Sequence, residues 1–178
     1  MRRIQEAMEE KMKIEHFKAF SIYNGTNGKP NLTLNYTNLL GVCKGNKGAP
    51  KHLQHCDESK GNTEISINPT NKTTMQKIRF NAEGRIFISG DTDLDTTLNN
   101  DLNDVTALNL NIQTLREERK QIWTTLDQQM RKEFGNKPFT KSFINQKLKE
   151  VSTFMNGKYE PMCQVYIYYF EKKLRKAI

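Results

Sequence analysis

The spacing of apolar residues along this chain changes character once, near residue 105. Before that point it is short-ranged. Residues from Lys13 to Phe17 suit a brief strand ending on His16 and Phe17. Leu32, Leu34 and Tyr36 alternate and lead into the run Leu39, Leu40, Val42, which together predict a strand or turn packed beneath the candidate site. Lys77-Ile78-Arg79-Phe80 and Arg85-Ile86-Phe87-Ile88 flank Asn81-Ala82-Glu83-Gly84 and predict a β-hairpin. After residue 105 the period becomes helical. Leu108, Ile112, Leu115, Ile122, Leu126, Met130 and Phe134 form one stripe, with Asn109 or Asn111 as its cap and Gly135-Asn136-Lys137-Pro138 as its stop. Phe143, Ile144, Leu148, Val151 and Phe154 mark a second helix, capped by Thr140 and stopped at Asn156-Gly157. A third starts near Pro161, carries Met162, Val165, Tyr166, Tyr169 and Phe170, and ends in lysines that complement its dipole.

Polar punctuation fills in the rest. Asn24 to Pro30 and Lys44 to Lys51 read as exposed loops, the second of them basic. A short helix opens at Cys56 and stops near Gly61; Asn68-Pro69 is a turn after Ile65 and Ile67. Asp91, Asp93, Asp95, Asp101 and Asp104 lie in a polar, acidic connection whose spacing lacks the glycine and glutamate of a calcium loop. In residues 1–12, Ile4, Met8 and Met12 suit a helix, and a short strand fits equally well. The expected fold class is α+β.

Charge narrows the partners. The chain has 178 residues, a net charge of +8 and 35% hydrophobic residues. With a pI near 9.4, it suits a polyanion such as nucleic acid, and the modest apolar content suggests that a metal or a partner supplies part of the stability. No run is long and apolar enough to span a membrane. Three cysteines, an odd number, argue against a disulfide framework and fit a cytoplasmic protein.

The candidate chemistry lies in three islands, Ile14-Glu15-His16-Phe17, Asn35 to Cys43, and His55 to Gly61. Cutting a phosphodiester needs a base for water, a cation on the phosphate and groups that align them. Glu15-His16 offers a carboxylate and an imidazole, although on a strand the two point to opposite faces and need a local twist to converge. Taken singly, each residue has a plain structural reading: a surface Glu–His pair, a loop-capping Asn38, a solvated Lys60.

In combination, "IEHF", "NYTNLLGVCKGN", "HCDESKG", Asn68-Pro69, "GRIFIS" and "LNLN" resemble the HNH endonucleases of retron and Septu anti-phage systems. The resemblance implies a ββα-metal core over residues 1–70, a hairpin and acidic connection over 71–105, and a helical region over 106–178. It implies His16 as general base, Asn38 as its orienting residue, and Glu15 and Asp57 as ligands of Mg2+ or another divalent cation. Lys60 would contact a phosphate or support the ligand, with His55 a possible assistant. It also implies an ATPase partner in a defence complex, for which the tyrosine-rich helix around Tyr166, Tyr168 and Tyr169 is a candidate docking face; core packing is the other reading of that helix.

Members of this family pair residues such as Cys43 and Cys56 with an earlier Cys-x-x-Cys around a structural Zn2+. That earlier pair is absent here, so the two are expected as unmetallated thiols, although His52 and His55 could complete a four-ligand set. Cys163 reads as a small core residue. The second functional reading is a nucleic-acid-binding or regulatory subunit with a decayed site.

Overall fold

The computed structural model describes residues 12–26, 28–135, 137–153 and 161–177. The readings made on residues 1–11, Phe154 and Asn156-Gly157 lie outside these.

Two short strands form first in the chain. β1 (Met12–His16) pairs antiparallel with β2 (Leu39–Cys43), in a register that sets Lys13 opposite Val42, Glu15 opposite Leu40 and His16 opposite Leu39. A single turn of 3-10 helix, Tyr36–Asn38, leads into β2 and is capped by Asn35, whose side chain accepts from Thr37 N. The helix α1 (Cys56–Lys60) follows, packs on β2, and ends at Gly61. Lys51 Nζ donates to the Ser59 carbonyl at 2.6 Å and so satisfies an orphan acceptor at the end of α1. The order strand, strand, helix is what positions the candidate site.

Leu34 and Tyr36 were expected to pack beneath that site and do not: they are 92% and 86% exposed. Their alternation follows a turn, with Asn35 N bonded back to Leu32 O, and not a strand with a buried face.

α2 (Lys72–Gln76) precedes the hairpin of β3 (Ile78–Phe80) and β4 (Ile86–Ile88), which forms as the sequence predicts. The acidic connection is instead a helix, α3 (Asp93–Asn103). Thr92 caps it by accepting from Asp95 N, and Leu98 and Leu102, one turn apart, are both buried. The aspartates found structural partners. Asp95 bonds Lys77 at 2.6 Å, and Asp101 Oδ2 accepts the Ser66 and Ile67 amides at 2.6 and 3.0 Å.

α4 runs Gln113–Phe134, so Leu108 lies outside it and neither Asn109 nor Asn111 caps it. Asn109 takes a φ of 47° and sends its amide to the carbonyls of Gln54 and His52. The buried stripe of α4 is Leu115, Arg119, Trp123, Leu126 and Met130, with Arg119 Nε bonded to the Gly84 carbonyl at 2.7 Å. α5 (Lys141–Ser152) has Thr140 as its N-cap, and α6 (Cys163–Leu174) starts just after Pro161.

The chain divides into two compact units that do not follow sequence order: residues 12–78 with 87–112, and residues 79–86 with 113–177. The first holds β1, β2 and α1. In the second, α5 and α6 pack against each other, α6 packs on α4, and Tyr169 crosses Trp123 edge-to-face at 5.1 Å. Cys163 is buried there, as expected of a core residue. Tyr169 is buried as well, and Tyr168 packs against Phe80 and Trp123. Tyr169 and Tyr168 are therefore engaged in core packing of this unit, while Tyr166 is half-buried. Among the described residues, no helix is long and apolar enough to cross a membrane.

Candidate functional site

Two clusters meet around β1, β2 and α1. The first is ionic. Lys13 and Glu15 are two apart on β1 and so leave the same face of the strand. Lys13 Nζ lies 2.9 Å from Glu15 Oε1, 2.9 Å from Asp57 Oδ2 and 3.6 Å from Glu58 Oε2. Glu15 and Asp57, far apart in the chain, thus reach one cationic nitrogen. Burial works against the charge on Lys13, but the hydrogen bonds it donates to Glu15 and Asp57, and their negative charge, outweigh it and hold the ammonium above its ordinary range.

Lys60 stands with the same carboxylates. It is not solvated: it is 6% exposed and donates to the Gly61 carbonyl at 3.1 Å. Burial pushes its pKa down, while the charges of Asp57 and Glu15 oppose that fall. A lysine so enclosed fits support of the carboxylates better than reach towards an external phosphate.

His16, adjacent to Glu15, turns to other partners. Its Nε2 lies 2.9 Å from the Thr33 carbonyl, and its ring stands 5.9 Å from that of Phe20. A carbonyl only accepts, so this contact requires the proton on Nε2 and leaves the Nδ1 lone pair as the basic site of the neutral ring. Asn38 holds the chain immediately beyond. Its Oδ1 accepts Lys18 N at 2.7 Å, its Nδ2 donates to Lys18 O at 3.1 Å, and its own carbonyl accepts Phe17 N at 2.8 Å. Buried and fully engaged, Asn38 fixes the exit from β1 and hence the frame from which His16 projects.

The second cluster is of soft ligands. Cys43, His55 and Cys56 present ligand atoms that all lie within 4.8 Å of one another. His55 Nδ1 is 3.2 Å from Cys56 Sγ and 3.9 Å from Cys43 Sγ. Ligands of a tetrahedral ion with bonds of about 2.0–2.3 Å stand roughly 3.5–3.8 Å apart, so this group could hold a metal ion. His52, the other histidine considered, is outside the group.

Local backbone builds the cluster. Cys56 has a φ of 55° and its amide donates to the Leu108 carbonyl at 2.8 Å, an unusual conformation fixed from outside α1. Gly45 turns at a φ of 57° so closely beneath His55 that an added Cβ would meet the His55 carbonyl at 2.1 Å. The Cys43 thiol is held down to about 4 by a hydrogen bond from Cys56, by the His55 ring and by the Gly45 backbone, against the opposing effect of burial. A thiolate is the ligand form of cysteine, so the chemistry of this group fits a cation.

The expected residues therefore fall into three settings: Glu15, Asp57 and Lys60 in the ionic cluster, His16 with Asn38 beside it, and Cys43 with Cys56 in the soft one. Lys13 was not foreseen, although its place two residues before Glu15 on a strand was a legible signal. Of the two readings of His55, the structure bears out its place with the cysteines: its Nδ1 lies beside Cys56 Sγ and Cys43 Sγ. No family model matches this chain, and comparison with curated proteins finds no match.

Proposed function

We propose that this protein is a metal-dependent endonuclease of the HNH type, hydrolysing phosphodiester bonds of nucleic acid. The observation that carries the reading is the convergence of Glu15 and Asp57 on one cationic nitrogen, with His16 next in the chain to Glu15. Two carboxylate oxygens meeting from separate elements are a ligand pair suited to Mg2+. When bound, the divalent ion supplies charge neutralisation at the scissile phosphate.

The residues of the chain do the rest. His16 Nδ1 takes a proton from water as the water oxygen attacks phosphorus and the bond to the leaving oxygen breaks. The Thr33 carbonyl keeps the opposite ring nitrogen protonated and the ring in place, and Asn38 fixes the segment behind it. Lys60 offsets carboxylate charge from the buried side. The soft cluster of Cys43, His55 and Cys56 is suited to Zn2+ in a structural role, pinning β2 to the start of α1. In this reading the protein is the nuclease effector of an anti-phage complex, working beside an ATPase.

The test is cleavage of DNA and RNA substrates with Mg2+ by the wild type and by His16→Ala. Loss of cleavage by at least about 100-fold with nucleic-acid binding retained supports the assignment. Equal behaviour of the two proteins on every substrate contradicts it.

A further inference from the structure

Lys13 has no assigned task in hydrolysis, yet it occupies the central position of the ionic cluster. Its ammonium stands 2.9 Å from each of the two carboxylates assigned to the divalent ion. A hexahydrated-type ion such as Mg2+ sits at about 2.1 Å from its oxygens. An ion bound by those same oxygens and an ammonium left where it is would be crowded into one small space with like charge. An ion and the ammonium therefore compete for those two oxygens.

We infer that Lys13 is the resident counter-ion of the site and a positioning residue for substrate: it fills the cation position in the free protein, leaves it when the divalent ion enters, and moves onto the substrate phosphate. This inference rests on the nuclease reading above. Three features favour it. Lys13 and Glu15 share one strand face, so the lysine stem starts beside the ion position and its ammonium can swing only a short way. The side chain is 28% exposed, which leaves it a path towards solvent and an arriving phosphate.

The charges also fit. Glu15, Asp57 and Glu58 contribute three negative charges against the positive charges of Lys13 and Lys60. The free cluster is thus near neutrality without any metal. Adding a divalent ion while both lysines remain leaves one excess positive charge, which a phosphodiester, with its single negative charge, offsets. Metal and substrate should therefore bind cooperatively, each improving the other's affinity by the same factor. The share of that factor owed to Lys13 is absent if the lysine is merely a surface partner of Glu15.

The experiment is calorimetric titration of the full chain with Mn2+, for wild type, Lys13→Gln and Asp57→Asn, with and without a DNA oligonucleotide in a His16→Ala background that prevents cleavage. Without oligonucleotide, Lys13→Gln is expected to bind Mn2+ about tenfold or more tighter than wild type. The oligonucleotide should tighten Mn2+ binding to both proteins through the ion's own contact with phosphate, and by a larger factor to the protein that retains Lys13 than to Lys13→Gln. Equal Mn2+ affinity of wild type and Lys13→Gln, with binding still lost in Asp57→Asn, overturns the role of Lys13 and leaves the nuclease reading standing. Absence of Asp57-dependent Mn2+ binding in every protein overturns both. Should Lys13→Gln fail to fold, the Lys13 Nζ resonance of the wild type gives the answer by itself. It must shift when Mg2+ is added, and an unshifted signal contradicts the exchange.

Discussion

Asn38 satisfies both backbone groups of Lys18 from a buried position. Asn38→Ala leaves them without partners, and urea unfolding should show a loss of about 1–3 kcal/mol. Asn38→Asp keeps the acceptor and loses the donor, so it should fall between. Gly45→Ala is harsher, because it combines a positive φ with a Cβ 2.1 Å from the His55 carbonyl. Its expected cost is above about 2 kcal/mol in the same measurement. The soft cluster has its own signature. Zn2+ should raise the melting temperature of the wild type in the way a ligand of the native state does, and should leave that of His55→Ala unchanged. An equal rise in both proteins would place the ion elsewhere. At this scale the sequence was informative about residue identity and poor on partnership. Glu15, Asp57, Cys43 and Cys56 were recognisable from neighbouring residue types, but which groups share a cation depends on β1 meeting α1 in space. Lys13 drew notice only there, whereas the place of His55 beside Cys56 already pointed to the cysteines.

α3 shows how an element can be hidden. Its aspartates suggested a solvated connection, while Leu94, Leu98 and Leu102 recur at four-residue spacing behind Thr92, a sound helix start. The helix bias was outvoted by composition. Its ion pair supplies a pH prediction. The hydrogen bond from Lys77, followed by that of Thr92, holds the Asp95 carboxyl below its ordinary range in the folded state. A carboxyl depressed on folding contributes stability that is complete above the ordinary carboxylate range and is lost as pH falls towards its folded value. The stability advantage of wild type over Asp95→Asn should accordingly shrink as pH falls through and below the ordinary carboxylate range, measured by urea unfolding at each pH. A constant difference would contradict the pairing. β1, β2, the hairpin and α5 were legible because period and cap coincided, as at Thr140. α4 was legible in most of its stripe, with Leu115, Leu126 and Met130 buried as expected, but not in its start or at its centre, where Trp123, and not Ile122, faces the core with Arg119 one turn earlier.

Charge is segregated along the molecule. Residues 12–61 carry seven lysines against three acidic residues, whereas residues 87–112 carry five aspartates and no lysine or arginine. That asymmetry was hidden in a net charge of +8, as was the division into two units that do not follow sequence order. Lys44 and Lys47 are exposed on the basic loop, while Lys51 is committed to the end of α1. Nucleic-acid affinity should fall steeply with salt, and Lys44→Gln and Lys47→Gln should each lower the slope by about 1 without changing thermal stability. Lys51→Gln should instead destabilise the fold. The central claim, that carboxylates from β1 and α1 hold a catalytic cation beside a histidine of fixed tautomer, is tested most directly by anomalous diffraction from crystals soaked in Mn2+. The account predicts a peak about 2.0–2.3 Å from both the Glu15 and Asp57 carboxylates, with the Lys13 ammonium displaced from between them. Crystals showing Mn2+ bound elsewhere, with that ammonium still in place, would contradict it.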